Sequence, residues 1–357
     1  MSRFATPELA SLTPYVPGEQ PKNTGELIKL NTNENPYLPG PAVSAVLNEN
    51  AVSALRLYPD PDCMKLRQAV AESYGLQPEN VYVGNGSDEV LAFIFKGLCP
   101  NGAAFPDITY GFYPVFADMF QIPFTEVPLK EDLTLDMGDY SGLSSTLFVA
   151  NPNAPTGLAL TLEEVKALLE QDRQRLVVID EAYVDFGCES AVPLISSYDN
   201  LLIVQTLSKS RQLAGARVGL ALGQMELIRD LETLKFSFNP YSVNALALLA
   251  ATASFEDKEW FAEHRRLLME NRAFLSSNLS SLGFRLTDSQ ANFVFASPPA
   301  WLSGEDYFHE LRGRNIVVRW FAKPRIRNYV RITVGRRDQL EKLIEATKEI
   351  LQERNLL

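Results

Sequence analysis

Residues 201–219 read LLIVQTLSKSRQLAGARVG, and the reading of the fold starts from them. An apolar, β-favouring run, Leu201–Val204, gives way to a short polar turn that carries Ser208 and Lys209. A short run of this kind bounded by turn residues is the pattern of a strand buried on both faces. The small residues that follow, LAGARVG, imply tight packing around the turn. A lysine held there can be desolvated, which favours the neutral and nucleophilic amine. Arg217 can reach the same anion as the hydroxyl of Ser208. The alternative is a solvated lysine on a surface turn, which the small residues that follow weaken.

The same arrangement recurs upstream. Val81–Val83 runs into GNGSDE, Ala103–Phe105 leads to PDITYGFY, Leu147–Ala150 runs into NPNAPTG, and Leu176–Ile179 runs into DEAY. Helical patterns such as Leu162–Glu170 fit between these strands, which argues for an α/β layer with a mostly parallel sheet. In such sheets ligands bind beyond the carboxyl ends of the strands. Several polar exits on one edge therefore point to one site. In GNGSDE, Gly84 and Gly86 allow a tight turn and Ser87-Asp88-Glu89 open a helix, whose N-terminus can hold a phosphate. A helix capped by Ser87 or Asp88 is the plainer alternative. In DEAY, Asp180 ends an apolar strand, and a buried carboxylate is costly unless paired. A cationic heterocycle nitrogen or a structural ion pair would serve equally. Tyr183 can face the same ligand, and Tyr110 can cover the face of a ring.

After Asn239-Pro240 the pattern changes. A long helical region runs to about Leu282, followed by strand candidates Asn292–Ala296, Ile316–Trp320 and Tyr329–Val334 and a closing amphipathic helix. The chain thus divides into an arm (1–36), a large domain (37–240) and a smaller C-terminal α+β domain (241–357). Phe236–Phe255 is uncharged but contains Pro240 and several polar residues, so a buried helix is expected rather than a membrane span.

A net charge of −11 opposes a general affinity for nucleic acid, which needs a basic face. The arginines of RWFAKPRIRNYVRI (319–332) alternate with apolar residues, as on strands facing a pocket. Cys63, Cys99 and Cys188 are widely spaced and form no metal-ligand pattern, so no metal is expected. MSRFATPELASL has no apolar signal core, and a reduced, cytoplasmic protein is expected. His264 and His309 lie outside every motif; His264, in AEHRR, reads as a surface residue.

The motifs PYVPGEQP, LNTNENPY, LYPDP, GNGSDE, TYGFY, NPNAPTG, VVIDEAYVDF, TLSKSRQLAGARVG, PYSVNALA, SQANFVF and YVRITVG follow one another over nearly the whole chain. In this the chain resembles the fold-type I pyridoxal phosphate aminotransferases, in their histidinol-phosphate branch. The resemblance implies that Lys209 carries the cofactor and moves the proton between substrate and cofactor carbons. It implies that Asp180 keeps the pyridine nitrogen protonated, Tyr183 bonds the phenolic oxygen and Tyr110 stacks on the ring. Ser87, Asp88, Ser208 and Arg217 would bind the cofactor phosphate. Tyr58 would reach the phosphate of a neighbouring subunit, which implies a homodimer. Arg331 would grip the acidic group of the substrate with help from Arg319, while Tyr15 and Asn33 line the substrate pocket.

The reaction so implied is transamination between histidinol phosphate and 2-oxoglutarate, in histidine biosynthesis. An aromatic amino acid aminotransferase or a threonine-phosphate decarboxylase would use the same lysine. A non-catalytic cofactor-binding module needs a fused DNA-binding domain and is not expected. One departure stands out: the family's NPNNPTG has asparagine directly before PTG, bonded to the phenolic oxygen, and here that position is Ala154. Asn153, one residue early, is expected to point elsewhere, leaving Tyr183 to hold that oxygen alone.

Overall fold

The computed structural model describes residues 2–15, 18–20 and 27–355. Its centre is a sheet of seven strands: β2 (Val81–Gly84), β3 (Ala103–Pro106), β4 (Phe124–Val127), β5 (Thr146–Ala150), β6 (Val177–Asp180), β7 (Leu201–Thr206) and β8 (Gly219–Gly223). The order across the sheet is β2-β8-β7-β6-β5-β3-β4. Only β8 runs antiparallel to its neighbours. All five strands expected in this region are present, each within a residue or two of the expected bounds.

The continuous apolar runs follow from burial on both faces. Val177, Ile179, Leu201 and Ile203 pack into the core on one side of the sheet, whereas Val178, Leu202, Val204 and Phe148 pack on the other. This is the period-2 alternation of a strand whose two faces are both covered. Helices between the strands are locally specified. The helix Leu162–Gln171, for example, starts with a capping box in which Thr161 accepts from the Glu164 N–H and Glu164 accepts from the Thr161 N–H.

Two strands lacked a signal strong enough to expect. FTEV (β4) is an edge strand with three exposed residues, and GLALG (β8) is a short run bounded by glycines. A second sheet has the order β12-β13-β10-β9, from β9 (Arg285–Leu286), β10 (Phe293–Ser297), β12 (Arg319–Trp320) and β13 (Val330–Thr333), all antiparallel. The expected strand Ile316–Trp320 is in fact two. Ile316–Val317 (β11) pairs in parallel with β1 (Ile28–Lys29), and after Val318 the chain changes partner to β13.

Packing runs across the expected divisions. The helix Ala245–Glu256 lies beyond residue 240, yet Ala247, Ala250, Ala251 and Phe255 belong to the core of the large layer. Conversely, Leu30 of the arm is buried in the core of the small sheet. Of the helix Lys258–Ser281, Leu268, Leu275 and Leu279 pack in the core of the small sheet. Phe236–Phe255 is no single span: one helix ends at Phe238 and the next begins at Ala245. Among the described residues no helix is long and apolar enough to cross a membrane.

Candidate active site

Register brings the strand exits together. Ala150 pairs with Asp180, and Asp180 with Val204, so the ends of β5, β6 and β7 form one ledge. Asp180 is 5% exposed on that ledge. Its Oδ2 accepts from the Tyr113 hydroxyl at 2.9 Å and its Oδ1 from the Ala182 N–H at 3.3 Å. Burial raises its pKa to about 6; those two hydrogen bonds oppose the rise, and Asp88 adds to it. Among the described residues no cation pairs with it. Lys209 follows β7, with its Nζ donating to the Thr32 carbonyl at 3.3 Å and 5.8 Å from the centre of the Tyr183 ring.

The helix Gly86–Gly97 starts at Asn85, which makes no side-chain cap, so its first N–H groups remain available. The backbone is pressed close here. A Cβ on Gly86, where φ is +81°, would lie 2.5 Å from Arg217 Nη2, and one on Gly219 would lie 2.3 Å from the Ser87 nitrogen. Only glycine permits that approach. Asp88 accepts from Arg217 and from the Tyr110 hydroxyl, at 2.9 and 2.8 Å. Ser87, Ser208, Arg217, Asp180, Tyr110 and Lys209 all line one cavity of ≈ 320 Å³. Thr206 lines it as well and donates to the Ser208 hydroxyl at 3.0 Å. Sequence reading passed over Thr206 and Tyr113 because each is one polar atom inside a strand or an aromatic cluster.

A second cavity of ≈ 290 Å³ adjoins the first and shares Tyr110, Ala154, Tyr183 and Lys209 with it. Tyr15, Asn33, Arg319 and Arg331 line it. Arg319 and Arg331 face each other across the β12–β13 pair. Arg331 donates to the Asn31 carbonyl at 3.0 Å, and its buried Nε has no acceptor. Burial, with Arg319 nearby, pushes its guanidinium below the usual value. Among the described residues neither arginine pairs with a carboxylate, so this end of the cavity suits an anion. The Tyr15 ring packs tilted against Phe112, with ring centres 4.4 Å apart.

Ala154 is buried between the two cavities. Asn153 turns away from them, donating to the Ile108 carbonyl at 2.9 Å and accepting from Thr109 at 2.9 Å. Tyr58 is not brought to this site. It is 82% exposed and stacked on Tyr241 at 4.6 Å. His264, expected on the surface, is half-buried because its ring stacks on Trp260 at 4.0 Å.

A family model for class I and II aminotransferases matches residues 25–346. The chain belongs to this family. A histidinol-phosphate aminotransferase of Bradyrhizobium diazoefficiens is 50% identical over 353 residues, covering 98% of this chain and 100% of that one. Another, of Acetobacter pasteurianus, is also 50% identical and covers 98% and 99%. Among solved structures, a histidinol-phosphate aminotransferase of Sinorhizobium meliloti in complex with pyridoxal-5'-phosphate superposes with a TM-score of 0.87 at 22% identity, covering 99% of each chain. At that identity the likeness establishes the fold. The class I and II aminotransferases depend on pyridoxal phosphate, and the first cavity fits that group. Its lining brings together a carboxylate that, among the described residues, lacks a cation and a glycine-tight helix start with uncapped N–H groups beside an arginine.

Proposed function

We propose that this chain exchanges an amino group between L-histidinol phosphate and 2-oxoglutarate, yielding imidazole-acetol phosphate and glutamate, in histidine biosynthesis. The supporting observation is that Lys209 lines both the cavity that fits the cofactor and a second cavity with two arginines that, among the described residues, pair with no carboxylate. Relatives at 50% identity over nearly the full length that carry the histidinol-phosphate aminotransferase name point the same way. When bound, pyridoxal phosphate supplies an electron sink and a carrier for the amino group.

In this reading Lys209 Nζ would hold the cofactor and would serve to move a proton at the substrate carbon. Asp180, as carboxylate, holds the proton on the ring nitrogen. The Ser87 and Asp88 N–H groups, Ser208 and Arg217 bind the cofactor phosphate, and Tyr110 covers the ring. Tyr183 donates to the phenolic oxygen. Arg331, with Arg319, takes either the α-carboxylate of glutamate or the phosphate of histidinol phosphate, since a guanidinium pairs with both. Tyr15 and Asn33 border the substrate. Tyr58, exposed on one chain, contributes to the site of a second copy in a homodimer, and the biosynthetic role places the protein in the cytoplasm.

The test is a half-reaction screen on the cofactor-loaded enzyme with histidinol phosphate, phenylalanine, tyrosine, glutamate and threonine phosphate. Histidinol phosphate and glutamate should each bleach the visible band of the bound cofactor. No bleaching with histidinol phosphate overturns the assignment. Preferential bleaching by phenylalanine or tyrosine would make the enzyme an aromatic aminotransferase, and carbon dioxide release from threonine phosphate a decarboxylase.

A further inference from the structure

Tyr183 sits at the end of a short hydrogen-bond chain whose polarity can be worked out by counting protons. Thr333, on β13, is 3% exposed, and Asn33, on the arm, is 1% exposed. The Asn33 N–H donates to Thr333 Oγ1 at 3.0 Å. The single proton of that hydroxyl goes to the Asn33 side-chain oxygen at 3.1 Å. Among the described residues that hydroxyl has no other acceptor, which assigns this end of the Asn33 amide as oxygen. The other end, Nδ2, therefore faces the Tyr183 hydroxyl and donates to it at 2.9 Å. The Tyr183 oxygen is an acceptor in that bond, so its own proton is left for a partner in the cavities that Tyr183 lines.

The backbone holds this geometry. Asn33 has φ +56°, a left-handed conformation that asparagine tolerates better than most residues. Asn292 Nδ2 donates to the Asn33 carbonyl at 3.0 Å, and the Thr333 N–H donates to the Leu30 carbonyl at 2.9 Å. Every polar group of Asn33 is thereby used.

We infer that Asn33 and Thr333 are positioning residues that lock the Tyr183 hydroxyl as a donor into the cofactor cavity, so that it holds the phenolic oxygen in its ionised form. The inference rests on the reading that Tyr183 faces that oxygen. Thr333 stands two residues after Arg331 on one strand, so both side chains share a face. The strand that anchors the substrate's anion thus also sets the polarity of the cofactor's contact.

The experiment is a pH titration of the visible absorption of the loaded enzyme. A fixed donor on the phenolic oxygen weakens that oxygen's hold on the proton it shares with Lys209 Nζ. Thr333→Val keeps the shape and removes the hydroxyl, so the midpoint should move to higher pH by about fivefold in proton affinity, the worth of one neutral hydrogen bond. Thr333→Ser should restore the original midpoint. Asn33→Asp replaces the donor with an acceptor that takes the Tyr183 proton, and should move the midpoint further in the same direction than Thr333→Val. In a Tyr183→Phe background, Thr333→Val should move nothing. A Thr333→Val or Asn33→Asp midpoint equal to wild type overturns the inference, as does a shift that persists without the Tyr183 hydroxyl. Borohydride reduction of the wild type separates the two failures. If no cofactor is fixed to Lys209, it is the cofactor reading that fails.

Discussion

Replacing Asp180 with asparagine should stabilise the cofactor-free protein at neutral pH while crippling the loaded one. Asparagine keeps the shape of the side chain, and its oxygen can still accept from Tyr113, which lies 2.9 Å from Asp180 Oδ2. What it removes is the buried charge, together with the long 3.3 Å acceptor for the Ala182 N–H. Burial raises the Asp180 pKa from the usual 3.8 to about 6. Between those values the folded protein keeps a proton that the unfolded chain has released. Stability therefore falls as pH rises from about 4 to about 6 and is level above that, and the fall is about 3 kcal/mol. Glu181, raised to about 7 by burial, titrates nearby but is present in both proteins and cancels in the comparison. The assay is denaturant unfolding of cofactor-free wild type and Asp180→Asn from about pH 4.5 to about pH 7.5. The variant should gain on the wild type by about 2 kcal/mol over this range and reach a plateau near neutrality. With cofactor bound the order should reverse, because in the proposed reading the carboxylate would pair with a cationic ring nitrogen, and turnover by the variant should drop at least about a hundredfold. A stability difference that does not change with pH, or a cofactor-free variant weaker than wild type at neutral pH, would refute the reasoning.

Two further substitutions probe the neighbouring groups. Ala154→Asn places a second donor between the two cavities, where Ala154 is buried now. The midpoint of the visible titration should move to lower pH, opposite to Thr333→Val, and an unchanged titration would show that the added amide does not reach the phenolic oxygen. Arg331→Lys keeps the charge but loses the paired donors, so the KM for glutamate should rise at least about tenfold with a smaller change in kcat. Equal KM values for variant and wild type would remove Arg331 from the substrate site.

Much of the large layer was legible because its strands are buried on both faces. Leu147–Ala150, Leu176–Ile179 and Leu201–Val204 are apolar runs cut off by polar turns, and each is a strand of the central sheet. FTEV escaped notice because an edge strand has no need of an apolar run, and three of its four residues are exposed. Ile316–Trp320 misled for a different reason. Periodicity records that residues are extended, not which strand they pair with, and this segment changes partner at Val318. The helix Ala245–Glu256 has small apolar residues on many sides, so nothing in its pattern says which layer it joins.

The sequence by itself determined the local chemistry: a lysine in a tight turn after a buried strand, a carboxylate at the end of the preceding strand, and glycines at the start of a helix. Each follows from neighbours along the chain, where strand length, turn composition and helix starts are written. Tertiary structure alone decided that Arg319 stands opposite Arg331, because that depends on antiparallel register. It alone decided that Asn33 bonds Thr333, 300 residues away, and that their shared proton fixes Tyr183 as a donor. Such contacts carry no periodic signal, since a hydrogen-bond partner that distant is selected only when the packed layers bring the two backbones together.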